Sequence, residues 1–219
     1  MLDRLVARIG AGRPFAFSRW GDGEWSCILG HGGSNCDGHP YSKLLRLDLT
    51  AVLLARPTYH LGMQAFALRR FGPAIEAWLA RRGLGPTWVD ADLFAMASWH
   101  DELTPLTDAL ACRAVILAGP DYLSALSLFK IARHIVIPER NCYVATAATL
   151  AATDRALRHL PRAVVVISAG MSANILVHRL HAAHPRATLI DVGSLWEPYV
   201  GRATRRYHRA VLARLRGAA

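Results

Sequence analysis

Lysine is nearly absent from this sequence, although the chain is strongly basic. Only Lys43 and Lys130 occur, and arginine supplies the other 24 of the 26 basic residues, against 16 acidic ones. Arginine binds phosphate bidentately, so this composition suits phosphorylated ligands. The alternative explanation is a GC-rich genome, whose codons favour arginine over lysine. No base-reading motif accompanies these charges, and we therefore expect no nucleic-acid partner.

The sequence also lacks the features of secreted and membrane-spanning proteins. Its four cysteines, Cys27, Cys36, Cys112 and Cys142, show no disulfide spacing. No uncharged apolar run reaches the roughly 18 residues of a membrane span, and the early acid Asp3 is not typical of a signal peptide. These absences predict a cytoplasmic protein with reduced thiols, with the inner face of the membrane as a second option.

What the chain does contain is an alternation of short apolar runs and amphipathic stretches. Strands are predicted at residues 15–17, 59–63, 87–89, 114–118, 134–138, 163–168 and 188–191. Helices are predicted at residues 1–10, 41–55, 73–82, 90–97, 103–111, 144–157 and 175–183. The alternation predicts one α/β domain over residues 1–219, with a Rossmann-like, mostly parallel sheet flanked by helices.

Two acids directly follow the first predicted strand. Asp22 and Glu24 are two residues apart, and in an extended or tightly turned segment both side chains can face one hard cation. Gly21 and Gly23 let the backbone approach a ligand closely. The pattern predicts a Mn²⁺ or Mg²⁺ site on Asp22 and Glu24, and the alternative is a turn with Glu24 in the first turn of a helix.

A turn of small residues follows the predicted strand at residues 163–168. It contains Ser168, Gly170, Met171 and Ser172, and it joins the strand to a helix whose free N–H groups favour an anion such as a diphosphate. The turn lacks both the full Gly-rich dinucleotide fingerprint and the lysine of a P-loop. Phosphate contact and an ordinary tight turn therefore both stay open.

Two further acids lie near the end of the chain. Asp191 ends the last predicted strand and could hold a ribose or an acceptor, or support the metal site. Glu197 could act as a general base toward an acceptor hydroxyl. The alternatives are a helix N-cap for Asp191 and a solvated surface acid for Glu197.

Four soft ligands occur in series between the first strand and the next helix, namely Cys27, His31, Cys36 and His39. Such residues bind zinc, but zinc knuckles have tighter cysteine pairs and this stretch is rich in glycine. A flexible loop near the substrate is the preferred interpretation.

The C-terminal segment, about residues 200–217, is predicted to be a basic helix. Its arginines are Arg202, Arg205, Arg206, Arg209, Arg214 and Arg216. A solvated helix face is the default interpretation, and peripheral contact with anionic lipid is the second.

These segments occur together in the order of a known family. The chain resembles the GT-D type glycosyltransferases, first known as a domain of unknown function, whose N-terminal segment reads Arg-aromatic-Gly-Asp-Gly-Glu. Residues 19–24 match it, with Trp20 in place of the usual Phe. The likeness continues in residues 60–63, 115–119, 137–141, 164–170, 174–180 and 190–193. It covers about residues 15–201.

The resemblance implies a metal-dependent transfer of a sugar from a nucleotide-sugar donor, such as UDP-glucose, to a hydroxyl. The acceptor would be a glycan, a glycoprotein or a lipid-linked molecule, and a homodimer is one option for the assembly. Asp22 and Glu24 would hold Mn²⁺ or Mg²⁺ against the diphosphate, and Arg19 would add positive charge or pair with one of these acids. Donor contacts are expected from Gly21, Gly23, Asn141, Ser168, Gly170, Met171 and Ser172.

One departure from the family concerns the acceptor side. After Gly193 the family has a His and an acid, whereas this chain has Ser194, Leu195, Trp196 and Glu197. Glu197 is therefore only a candidate base. Two rival interpretations stay open, a different Rossmann-like transferase such as a methyltransferase using S-adenosylmethionine, and a non-catalytic nucleotide-binding module.

Overall fold

The computed structural model describes residues 1–217, and its seven strands form one sheet. The strands are β1 Ala16–Trp20, β2 His60–Met63, β3 Trp88–Asp90, β4 Val115–Pro120, β5 Ile131–Ile137, β6 Val164–Ile167 and β7 Thr188–Asp191. Their order is β3-β2-β1-β7-β6-β4-β5, and every neighbouring pair is parallel. The predicted α/β, Rossmann-like fold is confirmed, with a sheet that is parallel throughout.

The helices are α1 Leu2–Gly10, α2 Asp22–Ile28, α3 Lys43–Leu54, α4 Ala65–Ala80, α5 Leu93–Trp99, α6 Thr104–Ala111, α7 Thr146–His159, α8 Ser172–Ala183 and α9 Arg206–Leu215. Short 3₁₀ turns cover Asp121–Ala125, Cys142–Ala145 and Glu197–Val200. Within residues 1–217, no helix is both long enough and apolar enough to cross a membrane.

The helices pack on both faces of the sheet. On β4, Val115 and Leu117 point into a first layer with α1, α5 and α6, whereas Ile116 and Ala118 point into a second layer with α7 and α8. This division follows from the alternation of side chains along a strand. Helix α9 packs against α5 and so belongs to the first layer, while α3 packs against α8 in the second.

The structure corrects the conformation expected for the two acids after β1. Helix α2 already begins at Asp22, so Asp22 and Glu24 lie in the first turn of a helix rather than in an extended segment. Gly21 is the extended residue before the helix, and its N–H group bonds to the Glu24 side chain. Acids in a first helical turn are stabilised by the free N–H groups there.

Two helix boundaries also differ from the prediction. Helix α4 begins at Ala65 and continues through Pro73, because the buried residues Phe71 and Ile75 keep helical spacing across the proline. The basic helix expected over residues 200–217 begins only at Arg206. Gly201 has a left-handed φ of 81°, and the extended backbone at Arg205 delays the helix.

Candidate active site

A cavity of about 880 Å³ lies at the carboxyl edge of the sheet. Residues that follow six of the seven strands line it, because the carboxyl ends of parallel strands meet at one edge. The acids after β1, the turn after β6 and the segment after β7 share this cavity. Predicted residues in its lining are Arg19, Gly21, Asp22, Gly23, Glu24, Ser168, Gly170, Met171, Asp191 and Glu197.

Glu24 is buried beneath this cavity and is held by uncharged donors. Its Oε2 accepts the Gly21 N–H at 2.8 Å, and the Asn174 Nδ2 lies 3.5 Å from its Oε1. Burial raises the pKa of Glu24 to about 7, and the charge of Asp191 adds to this, while backbone N–H groups and Arg19 oppose it. A buried carboxyl of this kind favours a bound cation, which would stabilise its charged form.

Asp22 is the more exposed member of the pair. One of its oxygens lies 3.6 Å from the Arg70 Nη1, and its side chain is 39% exposed. Because an exposed ion pair of this length is weak, Asp22 can exchange Arg70 for a metal ion at little cost. The two acids therefore share one cavity, with Glu24 fixed below and Asp22 free to adjust above.

Gly21 lies directly against the Gln64 side chain. A Cβ atom at this position would come within 2.1 Å of the Gln64 side-chain oxygen, which reaches over from the end of β2. Gln64 also lines the cavity. The group that closely approaches the Gly21 backbone is thus the Gln64 side chain rather than the predicted ligand, and Gln64 forms this side of the site.

Arg19 connects the ends of β1, β3 and β7. Its backbone N–H donates to the Asp191 Oδ2 at 3.1 Å, and its Nε donates to the Ala91 carbonyl oxygen at 3.2 Å. The guanidinium lies against Gly193, where a Cβ atom would come within 1.9 Å of Nη1. Within residues 1–217 Arg19 makes no ion pair with Asp22 or Glu24, so of its two expected parts the direct pairing is not observed, and the added positive charge stays a prediction.

Asp191 is buried at the end of β7. Its Oδ1 accepts the Gly193 N–H at 3.0 Å. Burial raises its pKa to about 6, while the Arg19 charge and the backbone N–H groups oppose the shift. Asp191 therefore braces the base of the site, and its contacts are those of a turn rather than of a helix N-cap.

The turn after β6 places small residues against the cavity. Gly170 has a left-handed φ of 48°, and a Cβ atom there would lie 3.2 Å from the His39 Nε2. Ser168 lines the cavity, and its buried hydroxyl oxygen has no hydrogen-bond partner within the described residues. Ser172 is not in the lining, since its hydroxyl lies 3.6 Å from the buried Cys142 sulfur.

Glu197 lies at the other end of the cavity, and it is buried rather than solvated. Its Oε1 accepts the Tyr122 hydroxyl at 3.1 Å, and its Oε2 accepts the Thr204 hydroxyl. The His208 Nδ1 lies 3.5 Å from the same Oε2. Both oxygens of Glu197 are therefore already engaged, which favours a structural part over that of a free base.

The loop between α2 and α3, residues 29–42, forms one wall of the cavity. Its tip is tied down by Asp37, whose two oxygens accept from the Arg205 Nη2 at 2.7 and 2.6 Å. Asn35 supports the tip, because its side-chain oxygen accepts the N–H groups of Asp37 and His39. We name this segment the α2–α3 loop.

The zinc alternative gains no support from this loop. Within residues 1–217, no group of three or more His, Cys, Asp or Glu side chains could hold a metal ion. Cys142 instead donates to the Ala169 carbonyl oxygen at 2.8 Å, with the His39 Nδ1 3.7 Å from its sulfur. A divalent cation on Asp22 and Glu24 would accordingly need other ligands from substrate and water.

Some residues of the site carried no recognisable signal in the sequence. Asn174 reaches across from α8 to the Arg19 carbonyl oxygen at 2.9 Å and to Glu24. Gln64 and Tyr122 complete the lining on opposite sides. Asn141, expected to contact the donor, is not in the lining, although Arg140 and Cys142 on either side of it are.

No family model matches the sequence, and no curated protein matches it. The selenomethionine-substituted structure of domain of unknown function 1792 superimposes with a TM-score of 0.65 at 15% identity, covering 89% of this chain and 77% of that one.

A second solved structure gives the same result. It is described as the highly conserved domain of unknown function 1792 with a distinct glycosyltransferase fold. The TM-score is 0.65 at 17% identity, and the match covers 92% of this chain and 80% of that one. At the level of fold, the resemblance drawn from the sequence is confirmed: this chain has the fold of domain of unknown function 1792, which is a glycosyltransferase fold.

Proposed function

We propose that this chain is a glycosyltransferase that moves a sugar from a nucleoside-diphosphate sugar, such as a UDP-sugar, to a hydroxyl acceptor. The observation that carries the proposal is the cavity of this glycosyltransferase fold. It combines Asp22 and the buried Glu24 with the small-residue turn at 168–171. A buried carboxylate without an ion pair and an exposed one with only a weak Arg70 contact, beside a turn of small residues, suit a metal-bound diphosphate.

The residues present fit a divalent cation in part. Asp22 and Glu24 are hard oxygen ligands, and Mg²⁺ or Mn²⁺ is commonly held by one or two carboxylates plus substrate phosphates and water. When bound, such an ion supplies positive charge that stabilises a departing nucleoside diphosphate. We assign Mn²⁺ or Mg²⁺ to this pair as part of the proposal.

The chain's own residues have distinct parts in this scheme. Arg19, fixed by Ala91 and Gly193, supplies a permanent positive charge near both buried acids. The small-residue turn at 168–171, which lines the cavity just before α8, would lie against the leaving diphosphate. The α2–α3 loop forms one wall of the cavity and would bound the donor on that side.

On the acceptor side, the candidate base already accepts hydrogen bonds from other side chains. Glu197 stays the candidate general base, but it would have to release a hydrogen bond from Tyr122 or Thr204 to accept a proton. Its second candidate part is to hold Tyr122 as a wall of the acceptor site. The turnover of Glu197→Gln, measured where the variant is as fully folded as the wild type, would distinguish the two. A large loss of turnover would identify a base, and a small loss would identify a support for Tyr122.

The proposal is tested by nucleotide release. The protein is screened for thermal stabilisation by nucleotide sugars with Mn²⁺, and donors that stabilise it are assayed for release of the nucleoside diphosphate in the presence of acceptor extracts. Asp22→Ala should lose most turnover and keep its thermal stability, whereas Asp108→Ala on the exposed side of α6 should keep both. Full activity of the wild type in EDTA would refute the metal assignment.

The rival functions predict different results in the same assays. A methyltransferase would be stabilised by S-adenosylmethionine rather than by nucleotide sugars, and without dependence on Mn²⁺. A non-catalytic module would bind the nucleotide but release none from a nucleotide sugar.

A further inference from the structure

Helix α3 is apolar on its exposed side as well as on its buried side. Leu45, Leu49, Val52 and Leu53 pack into the core. On the outer side, Leu44, Leu47 and Leu54 are 66%, 53% and 49% exposed. A surface helix normally turns charged and polar residues outward, so three exposed leucines on one side of α3 indicate a side that is covered in the working protein.

The exposed leucines form a continuous row. Leu44, Leu47, Ala51 and Leu54 recur every three or four residues, so they lie one above the other along about 15 Å of helix. The row is widened by Val144, which is 72% exposed. Val144 is held beside α3, because the neighbouring Tyr143 hydroxyl donates to the Asp48 Oδ2 at 2.8 Å.

Positive charges border this row. Lys43 is exposed at the start of α3, and Arg179 is exposed on α8, which packs against α3. Arg46 and Arg56 also lie in or next to α3, with their guanidinium groups against Gly30 and the Gly83 carbonyl oxygen. Within residues 1–217, none of these four cations forms an ion pair. The single acid of α3 is Asp48, which is bonded to Tyr143. We name this surface, with its leucine row and its cations, the α3 face.

We infer that the α3 face docks on an anionic lipid bilayer. Leucines in the boundary between headgroups and acyl chains, flanked by Lys and Arg on lipid phosphates, are the arrangement of a helix that lies in a membrane interface. Charge complementarity selects the bilayer over a second copy of this chain. Two α3 faces would bring like charges together, in a protein whose formal net charge is already +10.

The basic helix α9 is a weaker membrane surface on the same criteria. It belongs to the opposite helix layer, so it and the α3 face cannot lie flat on one bilayer together. Its exposed side carries Arg206 and Arg209, but its one exposed large apolar residue within the described chain is Leu215. Isolated arginines give electrostatic attraction without insertion, whereas the α3 face offers both.

The test uses vesicle co-sedimentation of the full chain. Wild-type protein should pellet with vesicles of equal parts phosphatidylcholine and phosphatidylglycerol, but not with phosphatidylcholine alone. Leu44→Gln/Leu47→Gln should reduce the bound fraction at least roughly tenfold, because the favourable transfer of two leucine side chains from water into the bilayer is lost. Met96→Gln/Leu215→Gln, a matched exposed pair on the opposite layer, should bind as the wild type does.

Charge variants and mass measurements decide among the outcomes. Lys43→Glu/Arg179→Glu should also weaken vesicle binding. Arg206→Glu/Arg209→Glu should leave vesicle binding close to that of the wild type. The inference is overturned if wild-type protein does not bind, or if only the α9 pair abolishes binding. It is likewise overturned if light scattering shows a wild-type dimer that Leu44→Gln/Leu47→Gln converts to monomer, which would assign the face to a second copy.

This inference is independent of the proposed glycosyl transfer, because vesicle binding requires neither donor nor turnover. Loss of activity in Asp22→Ala with unchanged vesicle binding would separate the two surfaces. If both proposals hold, a lipid-linked acceptor becomes the favoured class among the acceptors.

Discussion

Apart from Asp22, whose exposed carboxylate lies 3.6 Å from Arg70, the acids of the cavity form two groups that the protein holds in different ways. Glu24 and Asp191, at the ends of β1 and β7, are buried and accept hydrogen bonds from backbone N–H groups, with the Asn174 amide close to Glu24. No cationic side chain within the described residues forms an ion pair with either. Burial accordingly raises the pKa of both.

The second group lies across the cavity and is fully paired. Asp37 binds Arg205, and Glu139 binds Arg202, whose guanidinium also stacks 4.1 Å from the centre of the Tyr122 ring. Glu197 accepts hydroxyl groups on both oxygens. These acids tie the α2–α3 loop and the segment before α9 to the rest of the site.

The difference shows which acids hold the structure together and which have another use. A paired acid holds the shape of the cavity, and removing one partner leaves the other unsatisfied. A buried acid without a cation costs stability, and such residues concentrate at functional sites. The difference therefore supports Glu24 as a ligand-binding group and Glu197 as a group that holds the shape of the cavity.

The largest effect is expected for Glu24→Gln, which keeps the shape but removes the charge. Turnover with a nucleotide sugar and Mn²⁺ should fall on the order of 10²–10³-fold, because stabilising charge at the leaving group is lost. Nucleotide release and calorimetric Mn²⁺ binding measure this directly. Unchanged turnover would show that Glu24 is not a metal ligand, and that a buried acid without an ion pair does not mark the functional group in this cavity.

The second prediction concerns stability without metal. The ordinary pKa of Glu24 is 4.5 and burial raises it to about 7, so the folded protein binds this proton more tightly than the unfolded chain. The resulting stability is fully present below pH 4.5 and is lost as the pH rises through 7, by up to about 3 kcal/mol. Asp191 acts in the same direction, up to about pH 6.

Glu24→Gln should therefore be more stable than the wild type near pH 8 in EDTA, and close to it near pH 5. Urea unfolding at both pH values measures the difference. Added Mn²⁺ should reduce the advantage, because a cation stabilises the charged carboxylate of the wild type. A wild-type protein whose stability rises over this range in EDTA would contradict the raised pKa.

The sequence predicts the broad arrangement of this site because the relevant signals are local. Apolar runs mark the strands, and in a parallel sheet their carboxyl ends necessarily meet, so the segments after β1, β6 and β7 could be placed together. The family likeness pointed to the same acids. These inferences need only the order of elements, not the contacts between them.

The contacts themselves have no such local signal. The sequence offered a helix start near Glu24 only as an alternative, because Gly21 replaces the Ser, Thr or Asp that usually marks a helix start. Asn174 lies 150 residues from Glu24 in sequence, and Tyr122 lies 75 residues from Glu197. Nothing in the spacing of either pair indicates a hydrogen bond, so the division between free and paired acids emerged only from the structure.

The third prediction tests the paired group through Glu197→Gln. The new amide offers one acceptor where two hydroxyl groups donated, so we expect a loss of about 1–3 kcal/mol in the free energy of unfolding. Tyr122→Phe, which removes one donor and leaves the carboxylate, should cost less. Denaturant unfolding measures both. Retained stability with a large fall in kcat would identify Glu197 as the base instead.

The smallest effect is expected for Asp37→Asn at the tip of the α2–α3 loop. The Asp37–Arg205 pair is about one quarter exposed on each side, and breaking it should cost roughly 1 kcal/mol or less in stability. Because the loop forms a wall of the cavity, the variant should raise the KM for the donor more than it lowers kcat. Asp154→Asn, which weakens contacts with both Arg158 and His184 outside the cavity lining, is the control. If the two variants change KM equally, the loop does not depend on this ion pair, and the paired acids do not hold the cavity in shape for the donor.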